Sequence, residues 1–205
     1  MEDIDVILYI NLAHRMDRNE HVLNEIAKLT NDAFKIHRIE AVYHDIGVLG
    51  CTASHVAALK YALEHPEWRR VLVLEDDFTF RDELSCLDIQ TVVAELIAHD
   101  ADMDVGLLSH GRLSSTVTGS PNIRKVYYSQ TASSYLVQQH YIPKLLANFG
   151  EALASLERDG VTHNACIDIY WTRLQPIDRW YATFPSLGIQ YPNYSDIEKR
   201  NVSYV

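Results

Sequence analysis

Cysteine is scarce and unpatterned in this chain. The 205 residues include Cys51, Cys86 and Cys166, an odd number with no Cys-x-x-Cys spacing, so neither a disulfide framework nor a zinc knuckle is indicated and a reducing compartment is the simpler reading. Positive charge is in short supply too. The 18 Lys and Arg stand against 28 Asp and Glu, a formal net charge of −10. That balance argues against general nucleic-acid binding, because affinity for phosphate backbones comes mainly from clustered cations. No apolar run is long enough to span a bilayer, and the acidic start Met1-Glu2-Asp3-Ile4-Asp5 leads into an apolar run of only a strand's length. The expectation is a cytoplasmic protein with neither signal peptide nor membrane span. Several catalytic signatures are also missing: no Gly-x-x-x-x-Gly-Lys phosphate loop, no Gly-x-Gly-x-x-Gly after the first strand, no His-Glu-x-x-His and no Gly-x-Ser-x-Gly. Their absence sets aside Walker-type NTPases, weakens a dinucleotide dehydrogenase, and leaves no signature of zincins or α/β-hydrolases.

What is present is centred on the stretch from Arg69 to Phe80. Two arginines give way to Val71-Leu72-Val73-Leu74, too short a run for a helix and polar at both ends, which reads as a buried strand. Glu75, Asp76 and Asp77 follow directly. Carboxylates packed so closely raise one another's pKa unless a cation sits among them. The carboxyl end of a strand in an α/β sheet is where ligands usually bind. Asp76 and Asp77 are therefore candidate ligands for Mn²⁺ or Mg²⁺, hard ions that take oxygen donors and share them with a substrate's phosphates. The alternative is a solvated acidic turn.

The rest of the chain alternates strand and helix. Val6 to Leu12 reads as a strand and Val22, Leu23, Ile26 and Leu29 as one helix face, with Asp17 near the helix start. Arg15 and Arg18, three apart, either clamp a diphosphate or line a solvated helix start. Phe34 to Val42 reads as a second strand. Gly47 opens a helix that ends before Pro66; Ser54 and His55, in its early turns, are placed either to bind an anion or to serve as satisfied core groups. Ile89 to Ile97 is helical, Asp104 to Leu108 a strand, and Ser114 to Asn122 a loop. Val126 to Tyr128 and Ser134 to Val137 read as strands, and Ile142 to Leu156 as a helix closed by Gly160. Asp168, between two isoleucines, is either a general base with a raised pKa or a helix cap. The aromatics from Trp180 to Tyr194 suit sugar stacking or a core. With an apolar fraction of 47%, this order predicts one α/β domain over residues 1–205, a mostly parallel sheet flanked by helices.

In register along the chain, Asn11-Leu12-x-x-Arg15-x-Asp17-Arg18, Gly50-Cys51-x-x-Ser54-His55, Val71 to Asp77, Ser134 to Val137, Ile167-Asp168-x-Tyr170 and Ser195-Asp196-Ile197 resemble the successive motifs of glycosyltransferase family 25. That family includes bacterial lipooligosaccharide β-galactosyltransferases and the collagen hydroxylysine galactosyltransferases. The resemblance implies a GT-A-type Rossmann-like fold, a UDP-sugar donor, commonly UDP-galactose, Mn²⁺ at the acidic triplet, and inverting transfer to a glycan or protein hydroxyl. On this reading Asp76 and Asp77 hold the metal, and Glu75, Asn11, Arg15, Arg18, Ser54 and His55 surround the donor. Asp168 takes the acceptor's proton. Two rival readings remain: a metal-dependent phosphoesterase, which needs no sugar acceptor, and a non-catalytic sugar-nucleotide binding module.

Overall fold

Strand β1, Val6–Asn11, is buried at every position, and its pleat explains why the run is wholly apolar before Asn11. Val6, Leu8 and Ile10 pack into one core while Ile7 and Tyr9 pack into another on the opposite face of the sheet, as alternation at a period of two requires. β3, Arg70–Glu75, divides likewise, with Val71 and Val73 on the first side and Leu72 and Leu74 on the second. The computed structural model describes residues 3–195 and 200–202; Asp196 and Ile197 of the last motif lie outside the described residues.

In chain order the elements are β1, α1 (Met16–Ala27), β2 (Ile36–Glu40), α2 (Gly47–Leu63), β3, β4 (Phe78–Phe80), α3 (Cys86–His99), β5 (Val105–Leu107), β6 (Gly111–Val117), β7 (Ile123–Gln130), β8 (Ser134–Gln138), α4 (Ile142–Asp159), α5 (Ile167–Tyr170), β9 (Trp180–Thr183), β10 (Gly188–Gln190), β11 (Asn193–Ser195) and β12 (Arg200–Val202). An eight-stranded sheet runs in the order β2-β1-β3-β8-β5-β9-β7-β6. β2, β1 and β3 pair in parallel, as do β5 and β9, whereas β8 lies antiparallel between β3 and β5 and β7 antiparallel between β9 and β6. The sheet is thus mixed, with most strands sharing one direction. Helices α2 and α4 and the buried Trp171 cover one face, α1 and α3 the other, and one domain results.

Local chemistry sets the element ends. Ser85 and Asp88 form a reciprocal capping box at the start of α3, satisfying donors that the first turn leaves unpaired. α4 stops at Gly160, whose φ of 78° suits a residue without a side chain. Phe80 N–H donates to the buried Glu25 carboxylate at 2.7 Å, fixing β4 against α1.

Some sequence expectations need correcting. The segment Ser114 to Asn122, read as a loop, begins inside β6; its residues pair with β7 as far as Val117 opposite Arg124, and only the turn beyond is irregular. Its polar, alternately exposed side chains are those of an edge strand, which needs no apolar face on its solvent side. The strand expected over Phe34 to Val42 is shorter, Ile36–Glu40, because Asp32 caps a 3-10 turn at Ala33–Lys35 that leaves Phe34 exposed. Among the tail aromatics Trp180 is core, whereas Tyr191 is exposed and stacks on His21 with ring centres 4.6 Å apart.

Candidate functional site

Three parallel strands end at one place. A cleft beyond the carboxyl ends of β1, β2 and β3 is lined by Asn11 and Arg18, by the Ala41 to His44 loop, by the first turns of α2 and by Glu75, Asp76 and Asp77, with Gln190 closing it from β10. This is where parallel strands in an α/β sheet leave a crevice, because successive connections diverge to opposite faces. Gly50 keeps the α2 wall tight: a Cβ there would meet the Val42 carbonyl at 2.6 Å.

Arg18 is the cation among the carboxylates. Its Nη1 donates to Asp76 Oδ1 at 3.0 Å and to Asp77 Oδ2 at 3.4 Å, and its Nη2 to the Tyr194 carbonyl at 2.8 Å. Each Asp76 oxygen has a donor, since Asn11 Nδ2 donates to the other one at 2.8 Å. Asp77 differs. Its Oδ1 is buried and has no hydrogen-bond partner among the described residues. Burial, and then the Glu75 charge, push Asp77 up to about 7 against the pull of Arg18. Burial also raises Asp76, opposed by Arg18 and by the Asn11 hydrogen bond. A buried carboxylate oxygen without a donor, beside two further carboxylates, is the donor set a hard divalent ion takes.

Glu75 belongs to a second network. His55 Nε2 lies 3.0 Å from its Oε1 and the Cys51 thiol 3.8 Å from the same atom, while Gln190 Nε2 donates to Oε2 at 3.4 Å. His55 is buried, with Nδ1 3.1 Å from the Tyr135 hydroxyl. Burial, then the charges of Glu75, Asp168 and Asp77, raise the Cys51 thiol.

The other candidate residues fall around this centre in distinct ways. Ser54 lines the cleft, yet its hydroxyl donates to the Gly50 carbonyl at 2.6 Å and accepts from Val42 N–H at 2.8 Å; it holds the wall in shape. Arg15 forks onto Asp17 at 3.0 and 2.9 Å and donates to the Tyr194 carbonyl at 3.2 Å, and its hydrogen bonds hold the Asp17 carboxyl well below the usual range. Arg15 is not part of the cleft lining, and neither is Asp168. Asp168 sits in α5, where Cys166 occupies the cap position, so it is not the helix cap. Its Oδ2 accepts from Thr131 N–H at 3.2 Å, and its charge reaches Cys51.

Residues without a sequence signal complete the site. Arg38 of β2 donates to the side chain and the carbonyl of Asn11 at 3.0 and 3.1 Å, a contact set by the β1–β2 register, which places Tyr9 beside Arg38. Gln190 arrives from the far end of the chain through the β4–β10 pairing. Tyr135 lay within a recognised motif, but its hydroxyl's partner is fixed by the fold.

No protein-family model matches this chain, and no curated protein sequence matches it. Solved structures do. A glycosyltransferase involved in the glycosylation of the major capsid of PBCV-1 superposes with a TM-score of 0.55 at 10% identity, over 95% of this chain and 95% of that one. A197 from STIV gives 0.50 at 14% identity, over 98% and 96%. Mannose-1-phosphate geranyltransferase from Thermus thermophilus gives 0.50 at 12% identity, over 87% and 72%. At these identities the likeness is one of fold, and the fold is the GT-A type of glycosyltransferases. No helix among the described residues is long and apolar enough to cross a membrane.

Proposed function

We propose that this chain is a glycosyltransferase of the family 25 type, moving a sugar, galactose first among the candidates, from a UDP-sugar to a glycan or protein hydroxyl with inversion. The observation that carries the reading is the unpartnered, buried Asp77 Oδ1 beside Asp76 and Glu75 in a cleft at the strand ends. Asp77 and Asp76 would hold Mn²⁺ or Mg²⁺, which supplies a Lewis acid for the charge that develops on the departing diphosphate. Arg18, released from the carboxylates, is then placed to meet a phosphate, and Asn11, fixed by Arg38, orients Asp76. Glu75 orients the α2 wall through His55, and Ser54 keeps the loop over the cleft in place. Asp168, held by Thr131 N–H, accepts the proton of the acceptor hydroxyl as the new glycosidic bond forms and the diphosphate leaves with the electron pair of the old one.

The test is a thermal-shift titration with UDP, with Mn²⁺ and with both, since a ligand that binds only the folded state raises its stability by mass action. A shift for the pair well beyond the sum of the two supports a metal-bridged nucleotide, and a panel of UDP-sugars follows. Asp77→Ala is expected to abolish that coupling, whereas Asp168→Asn keeps donor binding and loses transfer; near-normal transfer by Asp168→Asn removes Asp168 from the role of base. Arg18 favours a second reading. Because its guanidinium already pairs with Asp76 and Asp77, a sugar-nucleotide binding module that works without a divalent ion is the alternative, and a UDP shift indifferent to Mn²⁺ is its signature.

A further inference from the structure

Three side chains of different chemistry meet on the α2 side of the cleft. Cys51 and His55 lie four apart on one helix, which puts both on the same face, and β3 delivers Glu75 against them. One ligand atom from each, the Cys51 thiol sulfur, a ring nitrogen of His55 and a carboxylate oxygen of Glu75, can be chosen so that all lie within 4.8 Å of one another. Sulfur to Glu75 Oε1 is 3.8 Å and His55 Nε2 to the same oxygen is 3.0 Å. A tetrahedral zinc with bonds of about 2.0 to 2.3 Å separates its ligands by roughly 3.3 to 3.8 Å, so the trio needs only small side-chain adjustments to surround an ion. All three residues line the cleft, which leaves the remaining coordination position facing a ligand or water.

We propose that Cys51, His55 and Glu75 form a binding site for one zinc-class divalent ion. The site is distinct in chemistry from the all-oxygen aspartate pair: a thiolate and an imidazole favour zinc and cobalt, whereas manganese and magnesium favour carboxylates and water. Binding releases the Cys51 thiol proton to solvent, and the thiolate and the Glu75 carboxylate together balance the charge of the ion. His55 is prepared for the same change. Its Nδ1 is 3.1 Å from the Tyr135 hydroxyl, which donates when Nε2–H points at Glu75 and accepts when Nδ1 carries the proton and Nε2 takes the metal; such an outer partner fixes the tautomer of a ligating histidine. The proposal does not depend on the sugar-transfer reading, since it concerns occupancy by the ion alone.

The experiment is a titration of the chelator-treated chain with Co²⁺, followed by Zn²⁺. The expected result is one equivalent of Co²⁺ with a thiolate-to-cobalt charge-transfer band, displaced by Zn²⁺. Cys51→Ser is expected to abolish the band and to weaken zinc binding more than about 100-fold, and Tyr135→Phe to weaken it about 10-fold, by analogy with the loss of an outer partner. The band persists in Asp77→Asn and in a chain carrying Cys86→Ser and Cys166→Ser. Absence of the band, its survival in Cys51→Ser, or its loss in the Cys86→Ser, Cys166→Ser chain overturns the proposal. Alkylation of the unmutated chain removes any dependence on variant folding: zinc is expected to slow labelling of Cys51 at least 10-fold while leaving the exposed Cys86 unchanged, and equal labelling of Cys51 with and without zinc overturns the proposal.

Discussion

Asp77 is held in a setting that favours its protonated form, because burial and the neighbouring Glu75 charge outweigh the opposing pull of Arg18. The sign follows directly. A carboxyl group whose folded pKa, about 7, exceeds its unfolded value near 3.8 keeps its proton preferentially in the folded state. It favours folding most below pH 4, and that contribution declines as the pH rises through 7. Asp77→Asn removes this dependence, so the melting temperature of the variant relative to the unmodified chain is expected to climb between pH 5 and pH 8. About two pKa units of the shift lie above pH 5, so the ceiling on that change is about 3 kcal/mol at roughly 1.4 kcal/mol per unit, reduced by whatever the Arg18 ion pair contributes. Scanning calorimetry at the two pH values checks it. Ser54 carries a different prediction. Its hydroxyl satisfies Val42 N–H, so Ser54→Ala leaves a partly buried donor unpaired and is expected to cost about 1 to 3 kcal/mol in urea unfolding. The location of the acidic triplet was legible from residues alone, since four apolar residues can only deliver it to a strand end. Its pairing with Arg18 was not, because the contact crosses 58 positions of sequence and depends on α1 packing against β1 and β4.

At the level of elements, the helices were legible where periodicity and punctuation agreed. α2 stops ahead of Pro66 and α4 ends on Gly160, while α3 was legible from its apolar periodicity alone. Strands were legible in proportion to their burial. β1, β3 and β8 read correctly because both faces are covered, whereas β6 has a polar pattern at the sheet's edge and only its pairing with β7 identifies it. The small β4–β10 pairing could not be foreseen, since β4 follows the triplet directly and β10 lies over a hundred residues on. It is nevertheless what brings Gln190 to Glu75. Gly50 supplies the test at this scale. Ala in its place sets a Cβ against the Val42 backbone, which cannot swing aside as a side chain can. Gly50→Ala is therefore expected to destabilise the fold by about 1 to 3 kcal/mol through overpacking, and to shift amide signals of residues 41–44 in NMR spectra more than those of α4.

For the whole molecule, protection should be graded across the sheet. Three of the strands buried on both faces, β1, β3 and β8, sit beside one another in the order, while β2 and β6 form its edges. Native-state hydrogen exchange is expected to find the slowest amides in those three strands and exchange at least 100-fold faster in β6, because edge hydrogen bonds open without the core. Equal protection in β6 and β1 contradicts that picture. The same arrangement explains why fold class was readable and topology was not: alternating strand and helix announces an α/β sheet, but nothing local in Ser134 to Gln138 tells that it runs against its neighbours.

That inverted strand has a consequence for how the chain is made. β8 is the piece that joins the parallel β2-β1-β3 block to the β5-β9 pair. During synthesis β3 therefore leaves the ribosome with one flank of its backbone groups unpaired, and keeps it so until residues 134–138 have followed. A polypeptide halted before that point carries a bare apolar edge of the kind that recruits other strands. Fragments truncated ahead of residue 134 are accordingly expected to aggregate, and a growing chain has to be kept apart from its neighbours until the seam can close.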